Sequence, residues 1–89
     1  MIYFILARKT NRLKIGYSKS ASEVDRRFNF LLRENADDLD LIGRIPGEVE
    51  DERCLHSELE DIRCHNEWFD YTDEAKELVR REMSTSHSE

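Results

Sequence analysis

Cysteine is scarce in this chain of 89 residues, which contains only Cys54 and Cys64. Two cysteines are too few for a framework of disulfides. His56 and His65 lie nearby in the sequence, but Cys54 and His56 are two residues apart on a predicted helix and would point to nearly opposite sides. The spacing is therefore unlike that of a structural zinc site.

Long apolar runs are also missing. No stretch reaches the length of about eighteen apolar residues that a membrane span needs, and 38% of the residues are charged. The first seven residues lack the basic segment and the small-residue cleavage site of a signal peptide. We therefore expect a cytoplasmic protein of one domain with a thin core, because so short a chain buries only part of its surface.

Basic residues are outnumbered, and the net charge of −6 does not favour binding to phosphate groups. The charges are unevenly distributed along the chain. Residues 1–35 contain eight basic and three acidic residues, whereas residues 36–89 contain six basic and seventeen acidic residues. The first part thus predicts a basic face, while the second part would repel a polyanion.

The first third of the chain predicts a β-hairpin. The segment "IYFILA" (2–7) is a continuous apolar run typical of a buried strand. After the short polar link "RKTN", the segment "RLKIGYS" alternates between apolar and polar residues, as a second strand would. Lys14 and Gly16 would then share one face of that strand, and Tyr17 would lie on the other face.

A helix is predicted for residues 20–35. Ser20 and Glu23 form a capping-box pattern at its start, and Asn35 is a signal for its end. Its apolar stripe follows helical spacing and consists of Val24, Phe28, Leu31 and Leu32.

The remaining chain predicts a third strand and two more helices. The segment "LDLIGRI" alternates and is ended by "PG"; the residues in phase are Leu39, Leu41, Gly43 and Ile45. A helix over residues 48–63 is followed by an irregular link, "HNEWFDY", with two aromatic residues that we expect to be buried, Trp68 and Phe69. Thr72 caps a last helix through Met83, and residues 84–89 are predicted to be a disordered tail.

These elements predict the order β-β-α-β-α-α. We expect an α+β fold in which a small, three-stranded, mostly antiparallel sheet is flanked by helices. Residues 1–83 would form the single domain.

Glu52 lies on the stripe of the second helix where the spacing predicts an apolar residue. A partly buried carboxylate needs a cation or a hydrogen-bonding partner, and a magnesium ion would serve. The alternative is an ordinary carboxylate at the edge of an acid-rich helix. His56, one turn later on the same face, is more often a packed polar residue than a metal ligand.

Two short motifs lie in the predicted hairpin: Met1-Ile2-Tyr3 and, after ten intervening residues, Lys14-Ile15-Gly16. They resemble the paired motif of the GIY-YIG nuclease superfamily, although Met1 and Lys14 replace the usual glycine and tyrosine. The K-I-G form is similar to that of a compact branch of the superfamily. That branch also has an arginine on the first helix, which corresponds to Arg27. Its E-x-x-x-H motif corresponds to Glu52 and His56, and its closing G-E-W-F motif corresponds to residues 66–69.

This resemblance spans residues 2 to about 79 and implies a metal-dependent DNA endonuclease that hydrolyses phosphodiester bonds. It implies one divalent metal, Mg²⁺ or Mn²⁺, held by Glu52. Tyr3 matches the general base, and an ammonium such as that of Lys14 would stabilise its phenolate. Arg27 would bind the phosphate, and His56 completes the set of candidate catalytic residues.

Two assignments stay open in the sequence. Tyr17 is an alternative to Tyr3 as the base. Arg26 is an alternative to Arg27 because the loop before the helix is longer than usual; helix phase favours Arg27, which borders the apolar stripe, while Arg26 points away from it.

DNA is the expected partner, and a homodimer or a targeting protein would supply recognition, since we find no residues outside the nuclease module to do so. No membrane partner is expected. A second hypothesis is a catalytically silent binding or accessory protein of the same fold, for example from a phage or mobile element, which acts through a protein or nucleic-acid partner. The joint presence of Tyr3, Lys14, Arg27 and Glu52 favours the enzyme.

Overall fold

The structure is a computed structural model that describes residues 1–34 and 38–87. The elements follow one another as β1 (Ile2–Ala7), β2 (Arg12–Tyr17), α1 (Ala21–Glu34), β3 (Leu39–Ile45), α2 (Val49–Glu58), β4 (Arg63–His65), β5 (Trp68–Asp70) and α3 (Asp73–His87). A short 3₁₀ segment, Glu60–Ile62, connects α2 to β4.

The strands form one antiparallel sheet in the order β3-β1-β2-β5-β4. The α+β class is confirmed, but the predicted number of three strands is wrong because the sheet has five. The second helix ends at Glu58 rather than at residue 63, and the predicted irregular link contains β5. Asn66, with a φ of 54°, lies in the turn that reverses the chain between β4 and β5. The backbone groups of β5 then pair with the edge of β2.

Alternation along β1 divides the core between the two faces of the sheet. Ile2 and Phe4 pack with residues of α2 and α3, which cover one face. Tyr3 and Ile5 pack with residues of α1, which covers the other face. We call these the α2/α3 face and the α1 face.

The sequence predicts that Leu39, Leu41, Gly43 and Ile45 lie on one face of the third strand, and this prediction is wrong. The pairing of β3 with β1 shifts in register between Phe4 and Ile5. Leu39 and Leu41 therefore pack on the α1 face, whereas Ile45 packs on the α2/α3 face. A bulge of this kind inserts a residue and reverses the faces of those that follow.

The two helix caps predicted from the sequence, Ser20 and Thr72, are both confirmed. Ser20 Oγ accepts from the Glu23 amide at 3.3 Å, and the Glu23 carboxylate accepts from the Lys19 amide at 3.3 Å. Thr72 Oγ1 likewise accepts from the Ala75 amide at 3.3 Å.

The C-terminal end of the last helix and one residue of the predicted apolar stripe differ from expectation. Asn35, the predicted end of the first helix, lies outside the described residues. The last helix continues past Met83 to His87, so residues 84–87 of the expected tail are helical, and residues 88–89 lie outside the described ranges. Leu32 is 41% exposed and does not belong to the core stripe. None of the described helices combines the length and the apolar character required to cross a bilayer.

Candidate active site

An open pocket of about 570 Å³ lies between α1 and the sheet. We call it the α1 pocket; its lining residues are Tyr3, Lys14, Glu23, Arg26, Arg27, Phe30 and Leu31. Three residues that the resemblance assigns to catalysis, Tyr3, Lys14 and Arg27, thus come together from three different elements. The pocket carries more basic than acidic side chains although the whole chain is acidic.

Tyr3 is buried and lies directly opposite Gly16 in the hairpin. A β-carbon at Gly16 would lie 2.8 Å from Cε1 of the Tyr3 ring and closer still to its Cζ and hydroxyl oxygen. Gly16 is therefore required to leave room for the phenol ring. The phenol would otherwise be displaced from the pocket.

Burial raises the pKa of Tyr3, and the negative charges of Glu67 and Glu52 raise it further. Arg27 opposes these effects, because it hydrogen-bonds the phenol and attracts its phenolate form. Loss of the phenol proton is therefore favoured by Arg27 and opposed by burial and by the two carboxylates.

Lys14 lies on the α1 face with its side chain only 14% exposed. Its ammonium is 3.4 Å from a carboxylate oxygen of Glu67 and 5.6 Å from the centre of the Trp68 ring. Lys14 therefore balances Glu67, while Arg27 is a cation that lowers the pKa of Tyr3. Both cations line the pocket that contains the phenol.

Arg26 and Arg27 both line the α1 pocket, which differs from the expectation that Arg26 points away. Both approach the Glu23 carboxylate, Arg27 at 3.7 Å and Arg26 at 3.9 Å. The hydrogen bond to Tyr3 distinguishes Arg27 and favours it as the arginine next to the candidate base.

Glu52 lies on α2 and is half-buried. Burial raises the pKa of its carboxyl, and the charge of Glu67 adds to the effect; His56, Lys14 and Arg53 oppose it. Glu52 does not line the α1 pocket, but its negative charge also raises the pKa of Tyr3.

The carboxylates of Glu52 and Glu67 are hard oxygen donors that repel each other, and a cation would relieve this repulsion. Among the side chains that the structure describes, no cluster of three or more His, Cys, Asp or Glu residues could hold a metal ion. A bound cation would therefore take most of its ligands from water and substrate, as magnesium commonly does. The donors at this position fit such an ion.

His56 is tied to the protein backbone. Its Nε2 donates a hydrogen bond to the carbonyl oxygen of Ile15 at 2.8 Å, and its ring packs on Phe69 with the ring centres 5.2 Å apart. His56 therefore anchors α2 to β2. Tyr17 is not brought to the α1 pocket, because it pairs with Ile2 and packs on the α2/α3 face.

A sequence profile of the T5orf172 domain matches residues 1–84, nearly the whole chain. The chain belongs to the T5orf172 domain family. This is a nuclease-associated family of phage origin. A search of curated proteins and a search of solved structures found no match.

Two residues that the structure places at the site of this T5orf172 domain have no role predicted from the sequence. Glu67, in the turn before β5, pairs with Lys14 and affects the pKa values of Tyr3 and Glu52. Phe30 lines the α1 pocket with an exposed side chain. The place of Glu67 in the closing motif could have indicated that it belongs to the site. For Phe30, the only such signal in the sequence is its spacing of three residues from Arg27.

Proposed function

We propose that this T5orf172 domain is a metal-dependent DNA endonuclease that hydrolyses phosphodiester bonds in the manner of GIY-YIG nucleases. The observation that supports this most directly is the convergence of Tyr3, Lys14 and Arg27 on one pocket. Glu52, from a separate helix, is close enough to change the pKa of Tyr3. A base, two cations and a carboxylate in one group are the parts that phosphodiester hydrolysis needs.

The nucleophile is a water molecule, and the Tyr3 phenolate oxygen accepts its proton as the new bond to phosphorus forms. The bond from phosphorus to the leaving sugar oxygen breaks in the same displacement. Arg27 binds the phosphate and offsets the charge that develops on its oxygens. It also favours the phenolate form of Tyr3.

Glu52 would hold a Mg²⁺ or Mn²⁺ ion, with Glu67 as a neighbouring carboxylate. Such an ion, when bound, supplies positive charge for the phosphate and for the leaving oxygen. Lys14 neutralises Glu67 across 3.4 Å, which keeps the negative charge near the phosphate low. His56 positions α2 through its hydrogen bond to Ile15.

The test is cleavage of supercoiled plasmid and of labelled single-stranded, duplex and branched DNA with Mg²⁺ or Mn²⁺. Glu52→Gln and Tyr3→Phe are the variants, and we expect each to reduce the rate by a factor on the order of 10²–10⁴. The matched controls are Glu50→Gln, an exposed acid on the same helix, and Tyr17→Phe, the other tyrosine of the hairpin. Controls that lose as much activity as the variants would overturn the assignment.

The same experiment separates the enzyme from a silent binding protein. Cleavage by the wild type and not by Glu52→Gln supports the nuclease. A folded wild type that cleaves none of these substrates, but forms a stable complex with a protein or nucleic acid, overturns it. Where the wild type does cleave, a homodimer or a targeting protein that supplies sequence preference is tested by its effect on the position of the cut.

A further inference from the structure

The α1 pocket extends past the residues proposed for catalysis to an aromatic side chain. Phe30 lines the pocket and is 57% exposed, more than any other large hydrophobic residue in the described ranges. Phe28, two residues earlier, already packs against the core under α1. The core therefore does not account for the aromatic ring at position 30.

The charged residues of the pocket lie next to this ring in an ordered way. Glu23, Arg26, Arg27 and Phe30 are three or four residues apart and share one side of α1. The two arginines thus lie one turn before Phe30, with Lys14 across the pocket. A ligand along this side of the helix would meet cations first and then an aromatic surface.

We propose that the α1 pocket binds an unpaired nucleotide of DNA, with its base stacked on Phe30 and an adjoining phosphate held by Arg26 and Arg27. Aromatic rings beside basic groups are the usual means of binding single strands, since every base has a face that can stack. The pocket volume of about 570 Å³ is within the range for small-ligand sites.

This inference rests on the proposed nuclease function for the position of the nucleotide, which lies beside the phosphate to be cut. A base within a duplex has both faces covered by its neighbours and cannot stack on a side chain unless it is extruded. The substrate class is therefore DNA with unpaired nucleotides at the cut site, such as a single strand or the single-stranded part of a branched molecule.

Binding is measured apart from cleavage, by fluorescence anisotropy in EDTA. The probes are a labelled oligothymidylate of about 12 nucleotides and a blunt duplex of the same length. The variants are Phe30→Leu, which keeps apolar bulk, and Phe30→Trp, which keeps an aromatic face. Leu32→Ala is the matched control, because Leu32 is an exposed apolar residue of the same helix, at 41%, that does not line the pocket.

We expect Phe30→Leu to weaken binding of the oligothymidylate by about 5- to 100-fold, the effect of losing one base–aromatic stack. Phe30→Trp should bind within a few-fold of the wild type, and Leu32→Ala should be unchanged. Binding of the duplex should be weaker and should not respond to Phe30→Leu. Since Phe30 is exposed, circular dichroism should show all variants folded.

Equal binding of the oligothymidylate by Phe30→Leu and Leu32→Ala would overturn the inference, as would a duplex preference that is indifferent to Phe30. A different result would contradict the proposed function. If the wild type binds the oligothymidylate through Phe30 but cleaves none of the substrates, the nucleotide site is supported and the nuclease is overturned. If the wild type cleaves DNA but Phe30→Leu binds the oligothymidylate as tightly as the wild type does, the nuclease is supported and the nucleotide site is overturned.

Discussion

His56 Nε2 donates a hydrogen bond to the carbonyl oxygen of Ile15 at 2.8 Å. The amide of the same Ile15 donates to the carbonyl oxygen of Glu67 at 3.1 Å. Three motifs that are far apart in the sequence therefore meet at one residue of β2. This arrangement positions Glu52, one turn before His56, next to the strand that carries Lys14.

Replacing His56 by alanine should destabilise the fold through this contact. The carbonyl of the buried Ile15 would lose this donor, which costs on the order of 1–3 kcal/mol of unfolding free energy. Urea denaturation followed by the fluorescence of Trp68 measures it. His65→Ala, at an exposed histidine of β4, is the control; an equal midpoint for the two variants would contradict the anchoring role.

Gly16→Ala should impair both stability and activity, because the added methyl group would overlap the ring of Tyr3. Overpacking of this kind costs about 1–3 kcal/mol, and the displaced phenol would no longer face the pocket. Gly43→Ala is the matched control, since its methyl group would meet the flexible end of Met83, with Sδ at 2.6 Å. Full cleavage activity in Gly16→Ala would show that the Tyr3 position is not critical.

Glu52→Gln should raise the melting temperature near neutral pH. Burial raises the pKa of Glu52 in the folded state, so the folded protein binds this proton more readily than the unfolded chain. Stability from this group therefore falls as pH rises from the unfolded pKa through the raised folded pKa. Below the ordinary glutamate pKa of about 4.3 the difference between wild type and variant should disappear.

The same pair of proteins tests the metal site by thermal unfolding. Adding Mg²⁺ or Mn²⁺ should raise the melting temperature of the wild type, because a ligand that binds the folded state stabilises it. Glu52→Gln should not respond, whereas Glu50→Gln should respond as the wild type does. An equal metal-dependent increase in all three would place the ion elsewhere.

The cleavage rate should increase with pH without levelling below the ordinary tyrosine pKa of about 10. The reason is that burial raises the pKa of Tyr3, so that the phenolate needed as base is scarce near neutrality. Glu67→Gln removes a negative charge that raises this pKa and should shift the rise in rate to lower pH. The measurement is the dependence of kcat/KM on pH for both proteins. A plateau near neutrality in the wild type, or the same pH profile in Glu67→Gln, would argue against Tyr3 as the base.

Much of the fold was predictable because its signals are local. The strand Ile2–Ala7 has the predicted ends, and Ser20 and Thr72 cap the helices that follow them. The strands β4 and β5 were missed because each has only three residues. So short a segment shows no periodicity, and it becomes a strand through pairing with β2 and with its neighbour.

The sequence by itself determined the longer elements and the α+β class, since these depend on spacing along the chain. The resemblance of its short motifs to a known superfamily supplied the catalytic roles of the candidate site residues. Only the tertiary structure decided which candidates meet. It places Tyr3 in the α1 pocket and Tyr17 on the other face, binds His56 to Ile15, and brings in Glu67 and Phe30. Alternation is a property of a single strand, whereas register, bulges and contacts between elements depend on residues distant in sequence.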